Sequence, residues 1–183
     1  MRALVIYESM YGNTHTVARA IGRGLEPAAD VSVLAVNHVD ADQIAQADFV
    51  VVGGPTHAHG MTRDTTRKAA IGAAQEPGSE LELDPDAEGE DLRQWFDTVQ
   101  GDGTRAAAFD TRVDIAAALS GRASKGISKR LRHRGFVEVL RPESFLVSKD
   151  NVLLAGEEDR AEQWGQELAR RGLVRPTGAA TSG

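Results

Sequence analysis

The chain of 183 residues contains no cysteine, which excludes disulfides, cysteine-based zinc sites and iron–sulfur clusters. No apolar run approaches the ~18 residues of a transmembrane helix, and the first residues have the pattern of a strand rather than of a signal peptide. We therefore expect a soluble, cytoplasmic protein without a membrane partner. The formal net charge of −6 disfavours a general nucleic-acid binder, because such proteins neutralise phosphates with lysine and arginine.

Several signatures of enzymes are also missing from the sequence. It has no Walker lysine motif and no G-x-G-x-x-G, which argues against a nucleoside triphosphatase and a Rossmann dinucleotide site. It has no G-x-S-x-G elbow, so a serine hydrolase has no support. His57 and His59 have the H-x-H spacing of some metal sites, with Asp64 or Asp110 as candidate third ligands. No further histidine lies in the predicted site loops, and we predict no metal site.

The most informative segment joins a strand to a helix near the amino end. Residues 3–7 are an apolar run that indicates a buried strand, and Val17, Ile21 and Leu25 recur every fourth residue, as on one helix face. The polar loop between them points backbone N–H groups and a helix dipole into one small space, which suits a phosphate. The alternative is that Asn13 or Thr14 only caps the helix.

Apolar runs and helical patterns alternate along the rest of the chain. Further strands are predicted at 31–36, 49–54, 106–109 and 136–140, with 144–147 continuing the last one; helices are predicted at 41–47, 64–74, 91–99, 121–134 and 157–171. This alternation predicts an α/β fold with a doubly wound parallel sheet and helices on both faces. We predict one domain over residues 1–174 and a disordered tail over residues 175–183.

Charge is distributed unevenly. Residues 80–102 hold nine acidic side chains and one arginine, whereas residues 112–141 hold eight lysines and arginines and two acids. The acidic segment 76–90 is predicted to be a mobile surface loop. It either covers the ligand site or lies at the opposite end of the sheet, and the direction of the helix after the third strand favours the opposite end. The basic helix 121–134 could bind nucleic acid or a phosphorylated partner, but a solvated flank is the simpler interpretation. We predict no nucleic-acid partner.

Residues 1 to about 172 resemble a flavodoxin. The resemblance depends on residues 5–14, on the turn at 52–56 after the third strand, and on five strands without a split in the fifth. It implies the strand order 2-1-3-4-5, noncovalent binding of flavin mononucleotide (FMN) and transfer of electrons one at a time. The cofactor-binding residues that it implies are Ser9, Met10, Tyr11, Gly12, Asn13 and Thr14 at the phosphate, Pro55, Thr56, His57, Ala58, His59 and Gly60 on one side of the isoalloxazine ring, and Asp110, Thr111 and Arg112 at the start of the loop on the other side.

The sequence departs from the flavodoxin pattern in its aromatic residues. Flavodoxins usually stack an aromatic side chain from each ring-flanking loop on the flavin, whereas here one loop offers His57, His59 and Met61 and residues 110–120 contain no aromatic residue. The loss of two stacking contacts is expected to weaken FMN binding by roughly one to two decades. Arg112 would raise the flavin potential if it lay at the ring; otherwise it pairs with Asp110 or Asp114, or points into solvent.

The function predicted from the resemblance is electron transfer between a reductase and an acceptor enzyme, by a monomer or weak homodimer without catalytic side chains of its own. The first alternative is an FMN-dependent NAD(P)H:quinone-type reductase, in which His57, His59 or Arg112 would contact the substrate. The second is a flavodoxin fold that has lost FMN and serves as a binding or regulatory module. The missing aromatics favour this module, and the phosphate loop opposes it.

Overall fold

A parallel sheet forms the centre of the protein. In the computed structural model, residues 1–57 and 60–172 are described, so the predicted tail lies outside the described residues. The strands are β1 (Arg2–Tyr7), β2 (Asp30–Ala35), β3 (Phe49–His57), β4 (Gly60–Met61), β5 (Arg105–Val113), β6 (Val137–Glu138) and β7 (Glu143–Val147). The order β2-β1-β3-β5 is parallel throughout, and β6 and β7 both pair in parallel with β5. The predicted strand order is thus confirmed, with β6 and β7 together in the fifth position.

The fifth strand is interrupted, although the sequence predicts it without a split. β6 pairs with the amino-terminal part of β5 and β7 with its carboxyl-terminal part. Between them lies Pro142, which has no N–H to donate to a neighbouring strand. The short antiparallel β4 pairs with the end of β3 and is not predicted from the sequence.

Seven α-helices are present in the described part of the chain: α1 (Asn13–Leu25), α2 (Ala41–Gln46), α3 (Asp64–Gln75), α4 (Leu92–Thr98), α5 (Ala117–Ser120), α6 (Ala123–His133) and α7 (Glu157–Gly172). All of the predicted helices are found, and α5 is additional. Asp40 caps α2 as expected, because its carboxylate accepts a hydrogen bond from the Gln43 N–H at 2.8 Å. None of the helices in the described ranges is long and apolar enough to span a bilayer.

The two faces of the sheet bury separate apolar layers. Successive side chains of a strand point to opposite faces, so Val5 packs in the layer of α1 and α7, whereas Leu4 and Ile6 pack in the layer of α4 and α6. This arrangement is a doubly wound α/β fold, in which ligands bind beyond the carboxyl ends of the strands.

The acidic segment 76–90 lies at the same end of the sheet as the loop after β1, so the predicted location is wrong. The Asp84 N–H donates to the Met10 carbonyl at 2.8 Å, and the Tyr7 hydroxyl donates to Asp86 at 3.1 Å. Met10 also packs with Ala87 in a small buried cluster. The physical reason is the direction of the strands. Because β5 runs parallel to β1 and α4 leads into the amino end of β5, α4 must start at the carboxyl end of the sheet. The segment before α4 therefore also lies at the carboxyl end.

Candidate functional site

A narrow cleft of about 120 Å³ lies where the carboxyl ends of β3 and β5 meet the start of α1. It brings together ten of the fifteen predicted site residues, namely Ser9, Met10, Tyr11, Asn13, Thr14, Pro55, Thr56, His57, Thr111 and Arg112. Val113, Val147 and Asn151 complete its lining. Ala58 and His59 lie outside the described residues. The predicted phosphate loop and the ends of two central strands therefore share one cleft.

The first turn of α1 has no side-chain cap. Gly12 is the N-cap residue in a left-handed conformation, with φ 87°, and no acidic residue follows in the first turn. The alternative, that Asn13 or Thr14 only caps the helix, is therefore wrong, because both residues lie inside it. The Gly12 N–H donates to the Ser9 hydroxyl at 3.1 Å. Uncapped first-turn N–H groups and the positive end of the helix dipole form a ready site for an anion.

Side chains of the first turn connect α1 to other parts of the cleft. The Thr14 and Thr111 hydroxyls are 2.8 Å apart and buried, which links α1 to β5. The Asn13 amide donates to the carbonyl of Asn151 at 2.8 Å. Sequence analysis misses Asn151, which follows β7 with φ 59°. Asn151 could have been predicted from its position after the fifth strand, because the carboxyl ends of all parallel strands lie at the same edge of the sheet as the site.

The residues predicted as a loop after the third strand form a hairpin. Pro55, Thr56 and His57 lie in β3, and Gly60 of β4 pairs with His57 in antiparallel orientation. The Thr56 hydroxyl accepts a hydrogen bond from the Ala123 N–H at 2.9 Å, so it is held by the start of α6. His57 is largely buried, and this desolvation lowers the pKa of its imidazole. The neutral ring is therefore favoured at neutral pH.

Asp110, Thr111 and Arg112 also lie in a strand, β5, rather than at the start of a loop. The Asp110 side chain is fully buried and accepts a hydrogen bond from the Ser124 N–H in the first turn of α6, at 2.7 Å. It does not line the cleft. A carboxylate at this position is stabilised by the helix dipole. Asp110 therefore holds the start of α6 against β5, a structural role that differs from its predicted contact with the flavin.

Arg112 does line the cleft, but its guanidinium is held by backbone carbonyls. It donates to Val113 at 3.2 Å and to Ile115 at 2.8 Å. The described residues give it no ion pair with Asp110 or Asp114, so that expectation is wrong. The side chain stabilises the turn that follows β5.

Exposed aliphatic side chains follow in the sequence on residues that line the cleft, namely Val113 and Asn151. Ile115 is 39% exposed and Leu119 66% exposed in the chain after β5, and Val152 is 61% exposed in the loop after β7. The loop after β5 contains aliphatic residues where flavodoxins usually have an aromatic residue that stacks on the flavin. Such side chains offer exposed apolar surface in the two loops that follow β5 and β7.

Glu8 is a buried carboxylate directly before the phosphate loop. It is 4% exposed, and one of its oxygens accepts a hydrogen bond from the Leu92 N–H at 3.1 Å. The other oxygen has no hydrogen-bond partner among the described residues. Burial raises the pKa of Glu8, against the opposing effects of the nearby Thr62 side chain, the Leu92 N–H and the Arg67 charge. Sequence analysis treated this residue only as part of the loop.

Glu8→Gln is expected to stabilise the protein at neutral pH by about 1–3 kcal/mol, the usual cost of a buried, incompletely paired charged group. When the pKa of a carboxyl is higher in the folded than in the unfolded state, the protein loses stability as the pH rises from the unfolded-state pKa through the folded-state pKa. The gain of the variant should therefore be largest at pH 7.5 and shrink towards pH 4. Urea unfolding at both pH values measures it. Glu80→Gln, at an exposed position, is the matched control; a gain that is independent of pH would contradict the explanation.

The sequence of residues 5–95 matches the sequence model of the family described as flavodoxin. None of the curated proteins compared with the chain matches it. The match covers the phosphate loop, β3 with its hairpin and the acidic segment. Within this match, residues 9–14 and 55–57 contribute eight of the thirteen residues that line the cleft.

Solved structures show the same fold along nearly the whole chain. A flavodoxin from the domain Archaea is 21% identical with a TM-score of 0.62, covering 93% of this chain and 97% of that one. Oxidised flavodoxin 2 from Bacillus cereus is 17% identical with a TM-score of 0.64, covering 93% and 99%. The rubredoxin oxygen:oxidoreductase of Desulfovibrio gigas is 18% identical with a TM-score of 0.58; the match covers 92% of this chain but only 35% of that larger protein.

Proposed function

Because the chain belongs to the flavodoxin family, we propose that it binds FMN and acts as an electron carrier. The observation that supports this most is the uncapped first turn of α1 beside the Thr14–Thr111 hydroxyl pair. Backbone N–H groups and uncharged hydroxyls bind a phosphate through converging dipoles rather than through a countercharge. When bound, FMN would supply the redox chemistry, and the protein would hold and tune it.

The dimensions of the cleft fit the phosphate end of FMN better than the ring. Its volume of about 120 Å³ is below the roughly 300–1,000 Å³ of sites that enclose a whole small molecule. The phosphate would bind at Ser9 and the first turn of α1, and the isoalloxazine ring would lie at the mouth, near Ile115 and the β3–β4 hairpin. An exposed ring edge suits electron transfer to another protein. We propose a reductase and an acceptor enzyme as partners, in the cytoplasm.

A second candidate is a binding module that no longer holds FMN. The small cleft and the aliphatic rather than aromatic side chains after β5 favour it. Aromatic stacking contributes roughly 0.5–1.5 kcal/mol per pair beyond burial, and Ile115 cannot replace that contribution fully. The retained anion site at α1 argues for the electron carrier.

Titration of FMN with the purified protein, followed by flavin fluorescence, separates these two functions. We expect quenching at micromolar protein, with affinity for riboflavin at least about 100-fold lower, because riboflavin lacks the phosphate that the α1 site would hold. Reduction of the loaded protein in two separate one-electron steps would then support a carrier. Equal binding of FMN and riboflavin would contradict the phosphate site. If neither flavin binds, the electron carrier is excluded and the binding module is the remaining candidate.

A further inference from the structure

A second, wider cleft lies between α4, α6 and the β3–β4 hairpin. Its volume is about 480 Å³, and it shares no lining residue with the cleft at α1. Six of its ten lining residues are basic and none is acidic. The six are Arg93, Arg122, Lys129, Arg130, His133 and Arg134. A cleft lined by charges of one sign concentrates counter-ions, because its low-dielectric walls focus the electric field.

The sequence of α6 builds one wall of this basic cleft. Residues three and four apart lie on the same face of a helix, so Gly126, Lys129, Arg130 and His133 follow one another along the face opposite α4. Met61 and Phe96 are both buried and contribute apolar lining. A Cβ atom at Gly126 would lie 3.4 Å from the Met61 side chain, so α6 packs closely against Met61 at this residue. The basic cleft therefore has an apolar floor under a charged rim.

The positive charges of the basic cleft are poorly neutralised by the protein. Arg93 donates to the carbonyls of Thr62, at 2.6 Å, and Met61, at 3.1 Å, rather than to an acid. Arg134 has one long ion pair, 3.7 Å, with the exposed Asp97. Lys129 and the half-buried Arg130 have no acidic partner among the described side chains.

The electrostatic consequence is visible at Arg93. Burial and the charges of Arg130 and Arg63 lower the pKa of its guanidinium, although arginine stays protonated at neutral pH. Asp91 and Glu8 only partly offset these effects at Arg93. A partly buried group of like charges with few counter-ions is unfavourable in the free protein. An anion in the basic cleft would relieve this repulsion and would receive several charge-assisted hydrogen bonds.

We propose that the basic cleft binds a phosphorylated small molecule of nucleotide size. Arginine and lysine side chains provide the donors that phosphate oxygens accept. The apolar floor provides contact for the uncharged part of the ligand. The volume lies within the roughly 300–1,000 Å³ range of small-molecule sites. The proposal does not depend on FMN binding at α1, since the two clefts are lined by different residues.

The test is calorimetric titration with ADP as the probe and adenosine as its uncharged counterpart, in the presence of excess FMN so that the α1 site is occupied. We expect ADP to bind at least about tenfold more tightly than adenosine, and its affinity to fall as salt is added. Lys129→Gln combined with Arg130→Gln should lower ADP affinity about 10- to 100-fold. Lys68→Gln, which removes one charge from α3 outside the basic cleft, should leave it unchanged.

Further variants keep the test decisive. Arg130→Lys retains the charge and should retain most of the affinity, and thermal unfolding shows whether each variant is folded. If the double variant does not fold, Lys129→Gln alone removes an exposed charge and should lower the affinity severalfold. The proposal is overturned if ADP gives no binding heat, or if the cleft variants bind ADP as tightly as Lys68→Gln does.

Discussion

Ser9→Asp is expected to lower the affinity for FMN by at least about 100-fold while leaving riboflavin binding unchanged. The Ser9 hydroxyl accepts a hydrogen bond from the Gly12 N–H at the start of α1, so an aspartate there would place its charge where the phosphate is proposed to bind. Two unit charges ~5 Å apart at an effective dielectric constant of ~20 repel by about 3 kcal/mol. That energy corresponds to a factor of more than about 100. Fluorescence titration with both flavins measures the effect.

Ser9→Asn is the matched control, because asparagine has nearly the shape of aspartate without its charge. It should retain FMN binding within about tenfold, since only a hydroxyl and local packing change. The apoprotein of Ser9→Asp should remain folded, and a carboxylate near the start of α1 can stabilise it by about 0.3–1 kcal/mol. Comparable losses in Ser9→Asp and Ser9→Asn would mean that shape rather than charge decides binding, and would remove the phosphate from this position.

The sequence predicts the centre of the fold well because apolar runs suffice to identify buried parallel strands. Residues 49–52 are such a run, and β3 begins at Phe49 as expected. The carboxyl ends of the strands are missed because their residues are polar. Thr56 and Asp110 continue β3 and β5, and each accepts a hydrogen bond from an N–H group of α6, at Ala123 and Ser124 respectively. Such partners are remote in the sequence, so local patterns do not show them.

The candidate site is predicted at the level of segments rather than of side chains. The resemblance brings Ser9, Thr14 and Thr111 to one place, where the structure also finds them together; their role in binding FMN stays a prediction. Asn151 and Glu8 are missed because neither residue type is distinctive in its local sequence. The basic helix is visible in the sequence. The cleft is not, because it forms only when tertiary packing places Arg93 of α4 opposite α6.

The location of the acidic segment 76–90 follows from the direction of the strands that it connects. Parallel strands require each connecting helix to run from the carboxyl end of the sheet to the amino end. Applied to β5, this rule already places the start of α4, and with it residues 76–90, beside the phosphate loop. The contacts of Asp84 with Met10 and of Asp86 with Tyr7 agree with that placement. The direction of α3 alone does not determine where the segment lies, because the segment also has to connect to the start of α4.

Gly24→Ala is expected to lower the free energy of unfolding by about 2–3 kcal/mol, in the upper range for overpacked sites. Gly24 of α1 lies against α7, where an added Cβ would collide with the Glu162 carbonyl oxygen and lie 2.8 Å from the Gln166 nitrogen. Both are backbone atoms, so the helices must move apart. Gly165 on α7 has the reciprocal contact with the Ile21 carbonyl. Chemical denaturation measures the loss.

Gly72→Ala provides the control, because Gly72 lies on the exposed face of α3 with no atom within 4 Å of an added Cβ. It should stabilise the protein by roughly 0.5–1 kcal/mol through helix propensity alone. Gly24→Ala and Gly165→Ala together should cost less than the sum of the single variants, since the first substitution already separates the helices. A stabilising Gly24→Ala, or fully additive losses, would show that α1 and α7 do not depend on this glycine pair for their approach.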